Sequence, residues 1–251
     1  MSPDVTGAPT ITKTCETCGR TFEKPGLTGR FAETFARMLR HCDECAATQR
    51  ATEQLQQQEA RQAADDREWE SRIQGSGIPR HLVAGLTLTG TPTRAADLCS
   101  QFANGQINGL FLTGPVGTGK TTLAGRAFAH RLRNRRGYWR SAPGLLADLG
   151  APMGSATHGE ALGVLTGRRM LGLDDLDKVR PTEYAAEQIY AAIDNAYIHR
   201  LPLIVTTNLE LEELAKRWPH FGESIASRLA DHCQTALVAG PDRRTLPKDD
   251  A

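Results

Sequence analysis

The sequence predicts an α/β fold: a parallel five-stranded sheet with crossover helices, preceded by a small four-cysteine module and a helical linker. Three observations carry this. From about Ile78 to Gly240, short apolar runs alternate with helical patterns. A glycine-rich stretch, "GPVGTGKTT" from Gly114 to Thr122, follows the apolar run Leu110–Leu112 and precedes a helix-forming segment. Four of the six cysteines fall in two tight pairs near the N-terminus.

Three zones follow: a compact module over residues 1–45, a helical linker over 46–77, and an α/β domain over 78–251. The linker is rich in Ala, Gln, Glu and Arg but poor in apolar residues, as an exposed helix would be. Gly75, Gly77 and Pro79 break it. The predicted strands are Leu110–Thr113, Tyr138–Arg140, Arg169–Leu173, Leu203–Thr207 and Thr235–Val238. The predicted helices are Lys120–Arg136, Thr182–His199, Leu211–Trp218 and Ser224–Asp231. In the second of these, Tyr184, Ile189, Tyr190, Ile193 and Tyr197 recur at the spacing of a helix packed on a sheet.

The 251 residues, 39% hydrophobic, suffice for one sizeable core and a small appendage. A net charge of +1 excludes a bulk electrostatic argument for nucleic acid or membrane; such a contact needs a local patch. No apolar run is long enough to span a bilayer. The first ten residues lack the features of a signal peptide. The expectation is a cytoplasmic protein.

Gly114, Pro115, Val116, Gly117, Thr118, Gly119, Lys120 and Thr121 fit the pattern G-x-x-x-x-G-K-[ST], with Thr122 next to it. Glycines let successive backbone N–H groups turn inward around a phosphate. A helix beginning near Lys120 adds the positive end of its dipole. Lys120 can reach the β- and γ-phosphates, and the Thr121 hydroxyl can ligate Mg²⁺. The required acidic partner is supplied by "RMLGLDDLDK". Asp174 falls at the C-terminal end of that strand, the edge where open parallel sheets bind ligands. Asp174 is expected on the Mg²⁺ and Asp175 on the attacking water, whereas Asp177 reads as a solvated loop or cap residue. Asn208 ends "LPLIVTTN", as a turn former or as a side chain holding the water.

Cys15-x-x-Cys18 and Cys42-x-x-Cys45 are separated by 23 residues. Four thiolates so placed suit structural tetrahedral Zn²⁺, with a short helix filling the gap. His41 reads as exposed or supporting, and Cys99 and Cys233 as core residues. The module mixes arginines and lysine with acids, which favours a protein partner over DNA. A basic stretch, His130, Arg131, Arg133, Arg135, Arg136 and Arg140 with Tyr138 and Trp139 among them, reads either as a helix C-terminus or as a single-stranded DNA contact with an aromatic for base stacking.

In sequence order, "SGIPRHLVAGLTL", "GPVGTGKTTLA", "LGLDDLDK", "PLIVTTN", "ESIASRL" and "AGPDRR" resemble an AAA+ ATPase, and more narrowly the DnaC/DnaI-like family of replicative-helicase loaders, with the IstB-like transposition ATPases as close relatives. The resemblance covers about residues 76–244. It implies an AAA+ core with little or no helical lid, in keeping with the short stretch after Val238. It implies ATP and Mg²⁺ as ligands, a slow, switch-like ATPase, and catalytic roles for Asp175, Asn208 (first sensor) and Arg228 (an arginine finger acting in trans on a self-assembled neighbour). It places a nucleotide-contacting arginine at Arg244, with Arg243 as the alternative. The implied partners are a hexameric replicative helicase, docked through the N-terminal module, and single-stranded DNA. The implied setting is the cytoplasm of a bacterium, or of one hosting a phage or mobile element. An IstB-like helper of a transposase and a nucleotide-gated adaptor without turnover are the alternatives.

Overall fold

The computed structural model describes residues 9–83, 93–218 and 220–242. The chain divides into two compact units, Met1–Asp66 and Arg67–Ala251.

In the first unit, β1 (Thr10–Thr14) and β2 (Thr21–Pro25) form an antiparallel hairpin. α1 (Ala32–Met38) occupies the stretch between the cysteine pairs. α2 (Asp43–Ser76) then begins one residue after Cys42. Its residues up to Arg67 are almost all exposed, while Ile73 and Ser76 are buried. The change follows the sequence, since Trp69 and Ile73 are the first large apolar residues after Leu55.

The second unit holds a five-stranded sheet in the order β4-β5-β6-β3-β7. Its strands are β3 (Gly109–Thr113), β4 (Gly137–Ser141), β5 (Met170–Asp174), β6 (Leu203–Thr206) and β7 (Gln234–Leu237). All four pairings are parallel. Both faces are covered, as parallel sheets require. Phe111, Tyr138, Leu171, Leu173, Leu203 and Val205 pack under α6 (Ala142–Leu149), α7 (Ala156–Thr166), α8 (Glu183–Ile198), α9 (Leu211–Arg217) and α10 (Gly222–His232). Leu110, Leu112, Trp139, Met170 and Ile204 pack under α3 (Arg80–Val83), α4 (Arg94–Ala103) and α5 (Lys120–Arg131). The period-two alternation in each strand thus feeds two separate cores. Gly172 makes room for the Trp139 indole on the neighbouring strand; a Cβ there would lie 2.1 Å from the ring.

The strands fall within a residue or so of expectation. α5 ends five residues earlier than expected, because Arg131 turns inward and the next residues close as tight turns (Arg133 N–H to His130 O, Asn134 N–H to Arg131 O). α4, α6 and α7 were not anticipated. Each starts at a Thr or Ser whose hydroxyl accepts an N–H three residues on: Thr93 from Ala96, Ser141 from Gly144, Ser155 from His158.

Candidate nucleotide site and cysteine cluster

The phosphate loop connects β3 to α5 at the carboxyl edge of the sheet. β3 lies between β6 and β7, so the tips of β5 and β6 stand on one side of the loop. The loop glycines adopt backbone angles that side chains resist: φ is +142° at Gly114, +80° at Gly117 and +96° at Gly119, the residue that caps α5. A Cβ on Gly117 would also lie 1.9 Å from the Asp242 carboxylate. Thr118 Oγ1 donates to Pro115 O at 3.0 Å and ties the loop together.

Lys120 is buried and donates to three neutral oxygens: Gly114 O at 2.8 Å, Pro115 O at 2.7 Å and Asn208 Oδ1 at 2.8 Å. It makes no ion pair among the described residues. Burial pulls its pKa down, against the raising influence of Asp175, Asp177 and Asp174. A desolvated ammonium resting on neutral oxygens is undercompensated. This donor set fits a phosphate group.

Thr121 Oγ1 donates to Asp174 Oδ1 at 2.9 Å, and Thr206 Oγ1 donates to the same oxygen. Burial raises the Asp174 pKa, although both hydroxyls work to lower it. A buried carboxylate beside a hydroxyl is a donor pair suited to a hard divalent cation such as Mg²⁺, which would offset that penalty. Asp175 follows with φ +54°, a left-handed angle that Asp tolerates better than most residues. Thr206 fixes that turn by accepting the Asp175 N–H at 3.0 Å. One buried threonine on β6 therefore positions both acids at the end of β5.

Asp177 is not a solvated loop residue. Its side chain is about one-tenth exposed. It accepts the Asn208 backbone N–H at 3.0 Å and the Asn208 Nδ2 at 2.8 Å. Burial acts to raise its pKa, but the Asn208 bonds and Lys178 outweigh it and hold the carboxyl below its ordinary value. Arg217 secures the same turn from below by donating to Asp177 O at 2.8 Å and Val179 O at 3.1 Å. Neither Asp177 nor Thr206 was assigned a site role from the sequence. The only signal for them was their position beside the expected acids and Asn208.

These residues open on a cavity of about 360 Å³ lined by Gly117, Lys120, Thr121, Thr122, Asp175 and Asn208 among others. That volume lies in the range of small-molecule sites. Arg228 stands elsewhere, on α10. Its guanidinium donates to Asp194, to Tyr190 Oη at 2.6 Å and to Ser224 O at 3.3 Å, and stacks 4.6 Å from the Tyr190 ring. Arg243 and Arg244 lie outside the described residues.

The basic stretch is corrected in part. Tyr138 and Trp139 are buried on opposite faces of β4, so neither is available to stack on a base. Arg131 is buried and holds Phe102 O at 2.8 Å and Asn108 Oδ1 at 2.6 Å, while Arg140 pairs with Asp148 at 2.7 Å. These arginines stabilise the fold.

In the first unit, the sulfurs of Cys15, Cys18, Cys42 and Cys45 all lie within 4.8 Å of one another. Cys18 and Cys42 are 3.7 Å apart. Four sulfurs bonded at about 2.3 Å to one tetrahedral ion would be roughly 3.8 Å apart, so the set fits a metal. Backbone N–H bonds, that of Cys18 foremost, pull the Cys15 thiol down to about 5, while the neighbouring Cys42 and Cys18 sulfurs push Cys45 up to about 12. Cys99 and Cys233 are buried in the second unit, where burial raises both thiols.

A parallel sheet of this order, with a phosphate loop after its first strand and an acidic pair at the tip of its third, defines an AAA+ nucleotide-binding core. The chain belongs to the IstB-like ATP binding protein family, whose model matches residues 30–251. Over 139 residues it is 31% identical to a protein of Mycobacterium tuberculosis described as an ATP-binding protein in an insertion sequence. That match covers 54% of this chain and 55% of the other, so the chain spans about half the length of this curated relative. The fold is shared with solved structures. DnaI gives a TM-score of 0.56 at 21% identity, covering 67% of this chain and 95% of that one. The DnaC helicase loader gives 0.54 at 24%, covering 64% and 100%. The replication initiator DnaA bound to AMPPCP and single-stranded DNA gives 0.53 at 17%, covering 66% and 52%. Among the described residues no helix is long and apolar enough to cross a membrane.

Proposed function

We propose that the chain is a slow ATPase that loads a hexameric replicative helicase onto single-stranded DNA. One arrangement carries the reading. Lys120, Asn208 and Asp177 form a hydrogen-bonded line beside the phosphate loop, and Thr121 and Asp174 form a metal-type pair next to it. Bound ATP and Mg²⁺ supply the reactive anhydride and the neutralising charge. The side chains do the rest. Lys120 and the loop from Gly114 to Thr122 hold the phosphates, and Thr121 and Asp174 hold the metal. Asp175 would orient a water and accept its proton, with Asn208 helping to hold that water. Asp175 is one methylene shorter than a glutamate, which sets its carboxylate back and suits a switch better than a motor. Arg228 serves a neighbouring subunit in trans, and Arg244 contacts nucleotide. Cys15, Cys18, Cys42 and Cys45 bind a structural Zn²⁺, and residues 1–45, followed by a helical linker over 46–77, dock the helicase. The setting is the bacterial cytoplasm. The test is reconstitution: ATP-dependent placement of the host's replicative helicase on single-stranded DNA, measured as strand unwinding. Unwinding that does not depend on the chain would overturn the loader reading.

A second reading, assistance to a transposase, is favoured by the relative found in an insertion sequence. Affinity capture from the host separates the two, by recovering either a hexameric helicase or a transposase.

A further inference from the structure

Four arginines crowd the amino edge of the core sheet, opposite the phosphate loop. β4 and β5 run parallel with Gly137 beside Met170, and the Met170 N–H bonds the Arg136 carbonyl at 3.0 Å. Arg136 and Arg169, one position earlier, are therefore neighbours across the ladder. Both line one cavity of about 280 Å³. Arg135 and Arg168 precede them and are exposed. Like charges facing each other across strands destabilise a sheet. The charge of Arg135 is felt nearby, where it adds to burial in pulling Arg131 down to about 10. The acids on the same cavity are Glu68 and Glu160. Glu68 is taken by Arg72 at 2.5 Å, which leaves Glu160 as the acid that shares this cavity with Arg136 and Arg169. None of the four makes an ion pair among the described residues.

The geometry points to this edge as a docking surface for the sugar-phosphate backbone of nucleic acid. The inference rests on the reading that the chain works on DNA. Guanidinium forks match phosphate oxygens bidentately. Adjacent strands stand about 4.8 Å apart, close enough for paired arginines to meet successive phosphates of one strand. With Tyr138 and Trp139 buried, this stretch offers charge without a stacking platform. Recognition is therefore of backbone, insensitive to base sequence and steep in salt. The surface lies at the opposite edge from the nucleotide, so the strand and ATP do not compete.

The experiment compares the full chain with a variant carrying R135Q, R136Q, R168Q and R169Q. Binding of a labelled oligonucleotide, single- and double-stranded, is followed with ATP present from about 50 to 200 mM salt. The variant should lose at least ~tenfold in affinity, and its log–log salt slope should flatten by about 3, at roughly 0.7–0.9 per phosphate contact. Its ATP affinity should be unchanged, which also reports that it is folded. Unaltered DNA affinity and slope in the variant would overturn the surface and leave the DNA reading standing. No DNA binding by the unaltered chain would overturn both. Poly-glutamate bound as tightly as DNA by the unaltered chain, and lost in the variant, would make the partner an acidic protein and refute the nucleic-acid assignment.

Discussion

Asp177 accepts two N–H bonds from Asn208, one from the backbone amide at 3.0 Å and one from the side-chain Nδ2 at 2.8 Å. An ionised carboxylate only accepts and an ammonium only donates. With Asp177 on one side and Lys120 on the other, the Asn208 carboxamide therefore has one workable orientation, nitrogen to Asp177 and oxygen to Lys120. The residue expected to sense the nucleotide is aimed by its neighbours rather than by its own rotamer preference.

Replacing Asp177 with Asn leaves one of those N–H groups facing a donor. ATP turnover should fall by ~10–100-fold, the scale of a small misplacement in an active site, while ATP affinity changes little. Comparing kcat with a directly titrated ATP Kd checks this. A drop in melting temperature with unchanged kcat would make the role structural only. The sign of the pH effect follows from the depressed carboxyl. The stability contributed by Asp177 is fully present above the unfolded value, about 4, and is lost as pH falls through its lower folded value.

Lys120→Ala removes the one buried cation of the loop. ATP affinity should weaken by at least ~tenfold, about 1.4 kcal/mol, in a titration with a fluorescent analogue. Unchanged affinity would remove the loop from the nucleotide site.

Asp175→Asn should act differently, sparing ATP binding and lowering hydrolysis. Asp175 makes no bond to Thr121, which belongs to Asp174, and its N–H rather than its carboxylate is held by Thr206. Among the described residues no hydrogen bond or ion pair holds its carboxylate, which suits the water role proposed for it. Parallel binding and single-turnover measurements separate the two effects.

Much of this site was legible because the phosphate loop and its acids are contiguous motifs on strands with strong apolar runs. What was misread depended on contacts distant in sequence. Asp177 meets Asn208 across 31 residues, and nothing local distinguishes it from a loop acid. Tyr138 and Trp139 sit among arginines, yet the alternation of β4 sends one into each core. α6 and α7 were missed because "APGLLADL" opens with Pro143 and Gly144 and "ATHGEALGVLT" carries Gly159 and Gly163. Pro and Gly weaken the helical pattern there, and the helix starts are marked instead by the Ser141 and Ser155 caps.

Purified under reducing, chelator-free conditions, the chain should carry one Zn²⁺ per molecule, held by Cys15, Cys18, Cys42 and Cys45. Cys42→Ser with Cys45→Ser should abolish it, while Cys99→Ser should not, since Cys99 is buried outside the cluster. Metal analysis finding under half an equivalent in the unaltered chain would count against the site.

The proposed role of Arg228 in trans is open to a direct test. In a single chain its guanidinium is occupied by Asp194 and Tyr190, so two roles compete. As an internal tie between α8 and α10, its loss lowers stability and leaves each subunit's chemistry alone. As a finger, it leaves Asp194 to meet a neighbour's γ-phosphate, for which its planar fork is suited. A mixing experiment distinguishes these. Arg228→Ala should bind ATP normally and hydrolyse poorly. Mixed with Lys120→Ala, it should regain activity, because Lys120→Ala subunits keep their arginine and Arg228→Ala subunits keep their nucleotide site. Arginine fingers contribute 10³–10⁵ in rate in the strongest cases; with the short Asp175 carboxylate as base, the expectation is the lower end of that range or below it. Asp194→Asn tests the latch itself and should raise turnover in the assembled state by freeing Arg228. Hydrolysis by Arg228→Ala equal to the unaltered chain, with DNA and partner present, would leave only the internal tie and remove the trans contact from the account.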